Sequence, residues 1–146
     1  MKALAVALVF AACPALADVT VTDGDSLEIA GERIRLYGID APEHAQTCPD
    51  GWPAGQEATA FLTGLVAGRT VECRLIERDR YDRAVSVCYA GGDDLSAAMV
   101  SAGMALAFVR FTRRYVDAER RAAGKGKGVH AHDCHAPWEW RARQRQ

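Results

Sequence analysis

In the stretch IRLYGIDAPEH, residues 34–44, Arg35, Asp40 and Glu43 stand around one bend stiffened by Pro42. Asp25 lies upstream in the turn TDGD, and Arg83 lies downstream at the end of RDRYDR. Clustered carboxylates repel one another, and a hard cation such as Ca2+ removes that cost by taking oxygen ligands. An arginine offers a planar, permanently charged fork that matches phosphate oxygens two at a time. A carboxylate such as Glu43, beside them, orients or deprotonates a water. Acids, cation and arginines together are the equipment for hydrolysis of a phosphodiester. Taken singly, each residue also has a plainer role, the acids as turn caps and the arginines as surface ion-pair partners.

The chemistry needs elements that bring these side chains together. VTVTDGDSLEIAGERIRLYGI alternates apolar and polar residues, which predicts three short antiparallel strands near 19–22, 26–29 and 33–38. Pairing the second and third of these as a hairpin makes Asp25 and Asp40 converge. A polar loop over 40–52 precedes Pro53, a residue suited to the first turn of a helix, and Phe61, Leu62, Leu65 and Val66 mark one helical face before Gly68. Strands near 70–77 and 83–90 follow, then a helix in LSAAMVSAG ending at Gly103 and a third helix near 113–123. The remainder, GKGKGVHAHDCHAPWEWRARQRQ, reads as irregular and basic. Five strands with a helix after the third predict an α+β, mainly β protein: a five-stranded barrel of the OB type with about three helices.

At 146 residues the chain fits one domain. Lys2, the apolar run ALAVALVFAA and the ALA pattern at 15–17 read as a secretory signal peptide over 1–17, with a single domain over 18–146. A lipoprotein signal at Cys13 and a buried N-terminal helix are the competing readings. The expectation is an exported protein, periplasmic or secreted, monomeric and free of the membrane after cleavage. Loss of Cys13 leaves Cys48, Cys73, Cys88 and Cys134, and four cysteines in an exported chain suggest two disulfides. TVECRLI and AVSVCYA are neighbouring strand-like runs, which favours Cys73–Cys88 and leaves Cys48–Cys134 to tie the loop after Asp40 to the tail. Residues 18–109 carry 7 Lys and Arg against 15 Asp and Glu, and residues 110–146 carry 10 against 4. A basic C-terminal part on an acidic body suits a polyanion contact, and equally a solvated surface.

TDGDSLEI, IRLYGIDAPE, DRYDRAVSVC and LSAAMVSAGMALAF, in this order and spacing, resemble the thermonuclease (staphylococcal nuclease) family from about Val19 to Arg121. The resemblance implies an OB-fold barrel and a calcium-dependent nuclease that cleaves DNA and RNA and leaves 3′-phosphates. It implies metal binding by Asp25, Asp40 and the backbone carbonyl of Ala41, and catalysis by Arg35, Glu43 and Arg83. The substrate is nucleic acid, with single strands favoured. Three positions depart from the family pattern. Ser26 replaces Thr. Asp82 replaces Gly, where its charge is expected to weaken the grip of Arg83 on phosphate, so Asp82→Gly is expected to raise activity. Val109 and Phe111 fall near the positions of two tyrosines that pack on the nucleoside, with Phe108 assigned to core packing and Tyr115 nearby.

Two rival readings remain at this stage. His130, His132, Cys134 and His135 are of the types that bind Zn2+ or Cu2+. A non-catalytic OB module that binds single-stranded nucleic acid or a protein would need no such set of acids and arginines.

Overall fold

A computed structural model describes residues 18–146; the signal-peptide reading and Cys13 lie outside the described residues. Alternation at the start of this span becomes a meander of β1 (Val19–Asp23), β2 (Ser26–Ile29) and β3 (Glu32–Leu36). β2 and β3 pair antiparallel with Ser26 opposite Arg35, and β3 then runs parallel to β6 (Ala84–Ala90), with Arg35 opposite Val85. Arg35 therefore sits on a central strand. β5 (Val71–Arg78) completes the order β1-β2-β3-β6-β5, which is OB-fold-like.

No ladder among the described strands joins β1 to β5, so the five strands keep the OB-like order without hydrogen-bonded closure into a barrel. Its two edges are handled differently: helix α1 (Ala54–Val66) packs along β1, whereas β5 leaves Leu75 and Ile76 more than half exposed. Three short strands were not expected. β4 (Ile39–Asp40) pairs with β8 (Leu106–Ala107) as a separate ribbon, and β7 (Asp93–Asp94) pairs with β6. The third expected strand stops at Leu36 because Gly38, at φ 78°, breaks it before Asp40.

Helix α1 begins after Pro53 and ends before Gly68 at φ 66°. Its buried face is Ala54, Ala58, Leu62 and Val66, spaced four apart, with Phe61 and Leu65 partly covered beside it. α2 (Leu95–Ser101) is capped by Asp94, whose carboxylate accepts the Ala97 N–H at 3.1 Å, and α3 is Val116–Gly124. Leu27, Leu36, Ile39, Leu62, Leu95 and Met99 fill the space between sheet and helices.

The tail is more ordered than its composition predicts. A 3-10 turn over Gly128–Ala131 leads to α4 (Pro137–Gln144), with Pro137 in its first turn. Two disulfides join Cys73 to Cys88, opposite one another on β5 and β6, and Cys48 to Cys134. The second bond ties the tail to the loop after Asp40. Among the described residues no helix is long and apolar enough to cross a membrane.

Candidate active site

The turn between β1 and β2 brings Asp25 against the bend that follows β4. Gly24 makes this approach possible: a Cβ there would lie 2.7 Å from that of Ala58 and 2.8 Å from that of Ala41. The Asp25 carboxylate accepts the Ala41 N–H at 2.7 Å through Oδ2, and its Oδ1 accepts the Ser26 hydroxyl at 3.1 Å. Ser26 thus keeps the hydroxyl contact at this turn. Arg35 pairs with Asp25 through Nη1, and its Nη2 donates to the Ile39 carbonyl at 3.1 Å and to Asp40 at 3.4 Å. Both aspartates are almost wholly buried.

Burial alone would protonate Asp25, but the Arg35 charge and the Ala41 N–H outweigh it and hold the carboxyl below its usual range. Burial likewise disfavours the charge on Arg35, and Asp25 and Asp40 overcome it. Asp23, at the end of β1, goes the other way. Burial and then the Asp25 charge push its carboxyl up to about 6.

A third arginine completes the site. From α4, Arg141 donates to Asp40 Oδ2 at 2.7 Å through Nη2, and through Nη1 to Asp40 Oδ1 at 3.2 Å and Glu43 Oε1 at 2.7 Å. The tail is positioned for this by Cys48–Cys134 and by Gln46, whose amide Nε2 donates to the His135 carbonyl at 2.8 Å. Gly55 packs so closely under the Glu43 carbonyl that a Cβ there has no room. Asp25, Arg35, Asp40, Arg141 and Glu43 consequently form one chain of alternating charge, with the Ala41 backbone beside it.

Arg83 lines a cleft of about 630 Å3 that Asp25, Arg35, Glu43 and Arg141 also line. Its Nε donates to Asp79 at 2.7 Å, and Asp79 Oδ1 also accepts the N–H groups of Tyr81 and Arg83 at 2.9 and 3.0 Å. Asp82 adopts the left-handed φ of 59° that its Gly-like position requires. Its carboxylate lies 3.6 Å from Arg78 and does not pair with Arg83, so the premise for a weakened Arg83 is not met. Phe108 is not a core residue. It lines the cleft, with its ring centre 5.2 Å from that of exposed Phe111 and 5.8 Å from that of Trp138. Tyr115 is buried and donates its hydroxyl to Asp94 at 3.1 Å, while Val109 is exposed.

The histidine-rich tail is engaged otherwise. Cys134 is spent in a disulfide, and His132 stacks on Trp52 and reaches Asp50 at 2.6 Å. Among the described residues, no three His, Cys, Asp or Glu side chains gather into a metal cluster by themselves. At the acidic site this follows from the arginines interleaved between the carboxylates. The donors there are nonetheless oxygen, the buried carboxylates of Asp25 and Asp40, and that chemistry fits Ca2+.

Sequence reasoning missed Arg141, Asp79 and Asp23. Arg141 lies 98 residues beyond Glu43. Its one local signal is Pro137 opening a run without glycine.

An OB-like sheet thus carries acids and arginines gathered beside one cleft. The chain belongs to the Staphylococcal nuclease homologue family, whose profile matches residues 33–131. It is 36% identical over 126 residues to a succinoglycan biosynthesis protein, ExoI, of Rhizobium meliloti (strain 1021), covering 82% of this chain and 66% of that one. It is also 36% identical over 135 residues to an uncharacterized endonuclease of Escherichia coli O157:H7, covering 86% of this chain and 84% of that protein. A probable staphylococcal-like nuclease, CAN1, of Oryza sativa subsp. japonica is 35% identical over 116 residues, 77% of this chain but 33% of the rice protein. These relationships support a nuclease function and a nucleic-acid substrate.

Proposed function

We propose that the protein is an exported, monomeric, calcium-dependent nuclease that hydrolyses phosphodiester bonds of DNA and RNA and leaves 3′-phosphates. One observation carries this reading: Arg35 joins the buried Asp25 and Asp40, and Asp25, Arg35, Glu43 and Arg83 line one cleft. Arg35 and Arg83 bind the phosphate and balance the charge that grows on its oxygens as water attacks phosphorus. Asp79 engages Nε of Arg83 and leaves the two terminal nitrogens for that phosphate. Glu43 accepts a proton from the attacking water as the water oxygen bonds to phosphorus, the bond from phosphorus to the 5′ oxygen breaks, and that oxygen leaves as a hydroxyl with a proton from solvent. Asp25, Asp40 and the Ala41 carbonyl would hold Ca2+, which when bound polarises a phosphoryl oxygen. Phe108 and Phe111 offer ring faces for an unpaired base, which supports a single-stranded preference. Export is supported by the leader-like residues 1–17 and by two disulfides.

The test is a fluorogenic single-stranded DNA incubated with the purified protein, in Ca2+ or in a chelator. Cleavage confined to Ca2+, with products that a polymerase extends only after phosphatase treatment, is the expected result. Chelator-resistant cleavage or directly extendable products contradict the proposal. Salt-sensitive binding without cleavage makes the domain a nucleic-acid binder instead.

A further inference from the structure

We propose that Arg141 is a positioning residue that serves as the resident cation of this site: it holds Asp40 and Glu43 together in the free protein and competes with Ca2+ for Asp40. The inference rests on the calcium-dependent reading above. It concerns a part of the chain outside the family match, which ends at residue 131, whereas α4 spans Pro137–Gln144.

Asp40 is buried with 1% of its surface exposed, and a buried carboxylate is costly unless a cation pairs with it. Arg35 meets it only at 3.4 Å while engaged by Asp25, so the closer partner is Arg141 at 2.7 Å. Arg141 also takes Glu43 through the same guanidinium, drawing together two groups that would otherwise repel. The chain from Asp25 to Glu43 then has three carboxylates and two guanidiniums. Without Arg141 it has three carboxylates and one, a charge that a single dication neutralises. The guanidinium thus supplies part of what the metal supplies, and a dication drawing on the same Asp40 oxygens is repelled by it.

The placement of α4 is suited to exchange. The Arg141 side chain is 34% exposed on the rim of the cleft, so it has a path to solvent when displaced. Its helix nevertheless stays nearby, because Cys48–Cys134 and the Gln46 contact to the His135 carbonyl hold the segment before it and the Trp138 ring packs its first turn on Phe108. A tethered competitor acts at high effective concentration, so its removal is felt even at millimolar Ca2+.

Calorimetric titration of Ca2+ into the purified protein with both disulfides formed, and into its Arg141→Met and Arg141→Lys variants, decides the matter without reference to activity. Arg141→Met keeps much of the side-chain bulk and removes the charge. It is expected to bind Ca2+ at least about tenfold more tightly, with Arg141→Lys between the two because an ammonium lacks the fork. In chelator, Arg141→Met is expected to melt at a lower temperature than the parent and to gain more on adding Ca2+. Equal or weaker Ca2+ binding by folded Arg141→Met overturns the inference, as does an absence of Ca2+ binding in both proteins. If Arg141→Met fails to fold, Arg141→Lys decides, and affinity no tighter than the parent overturns it. A parent that cleaves DNA with Ca2+ while the variants bind Ca2+ no tighter overturns this inference and leaves the nuclease reading intact. A parent that fails to cleave overturns the nuclease reading, and the titrations still decide the competition.

Discussion

Asp23 is a carboxyl whose protonation the fold favours, and Asp23→Asn isolates the consequence. Burial first, and the neighbouring Asp25 charge second, raise its value from 3.8 to about 6. The folded protein therefore binds this proton more tightly than the unfolded chain does. The stabilisation is fully present below about pH 4 and is lost as pH rises to about 6. Two pH units at roughly 1.4 kcal/mol each give close to ~3 kcal/mol, and partial exposure of the side chain reduces this to about 1–3 kcal/mol. Asparagine keeps an oxygen that can accept the Asp25 N–H, now 3.1 Å from Asp23 Oδ1, and removes the charge. Urea unfolding in chelator, repeated from about pH 4 to about pH 8, should show the variant more stable than the parent by that amount at the alkaline end. The difference should vanish at the acid end. A difference independent of pH, or a variant less stable at pH 8, refutes the reasoning.

Three other substitutions test how the site is held. Gly24→Ala drives a methyl into Ala58 and Ala41 and should cost about 1–3 kcal/mol by urea unfolding, while weakening Ca2+ binding in the same preparation. Asp79→Ala removes two turn hydrogen bonds and the partner of Arg83, and should lower kcat on single-stranded DNA together with a stability loss of about 1–2 kcal/mol. Asp82→Gly should leave the cleavage rate within about twofold of the parent, because the Asp82 carboxylate faces Arg78 and is highly exposed. A clear gain in rate would return Asp82 to the role that its sequence position suggested.

The site was readable in the sequence where its geometry is local. Arg35, Asp40 and Glu43 lie within nine residues along β3, β4 and the bend after it, and Asp25 joins them through a hairpin that alternation alone predicts. Cys73 and Cys88 were pairable for the same reason, as they face one another across two adjacent arms. Arg141 was not readable, because its role depends on a long-range tether. Nothing around residue 141 has an apolar helical stripe, and α4 owes its place to Cys134, His135 and Trp138. The β4–β8 ribbon was missed because a two-residue strand carries no periodicity. The five main strands and the place of α1 were legible, whereas strand order does not fix whether β1 and β5 hydrogen-bond. Asp79 was hidden by its neighbours, since the turn offers several acids and arginines and only the backbone selects the pair.

The most direct measurement of the central claim is the Ca2+-supported rate of single-stranded DNA cleavage by Glu43→Gln against the parent. The fold of the variant is checked by thermal melting. Glutamine keeps an oxygen for Arg141 and cannot take a proton from water, so the account predicts a fall of about 10²-fold or more with Ca2+ binding retained. A folded variant that cleaves within about tenfold of the parent contradicts it, and would remove the bend after Asp40 from the chemistry.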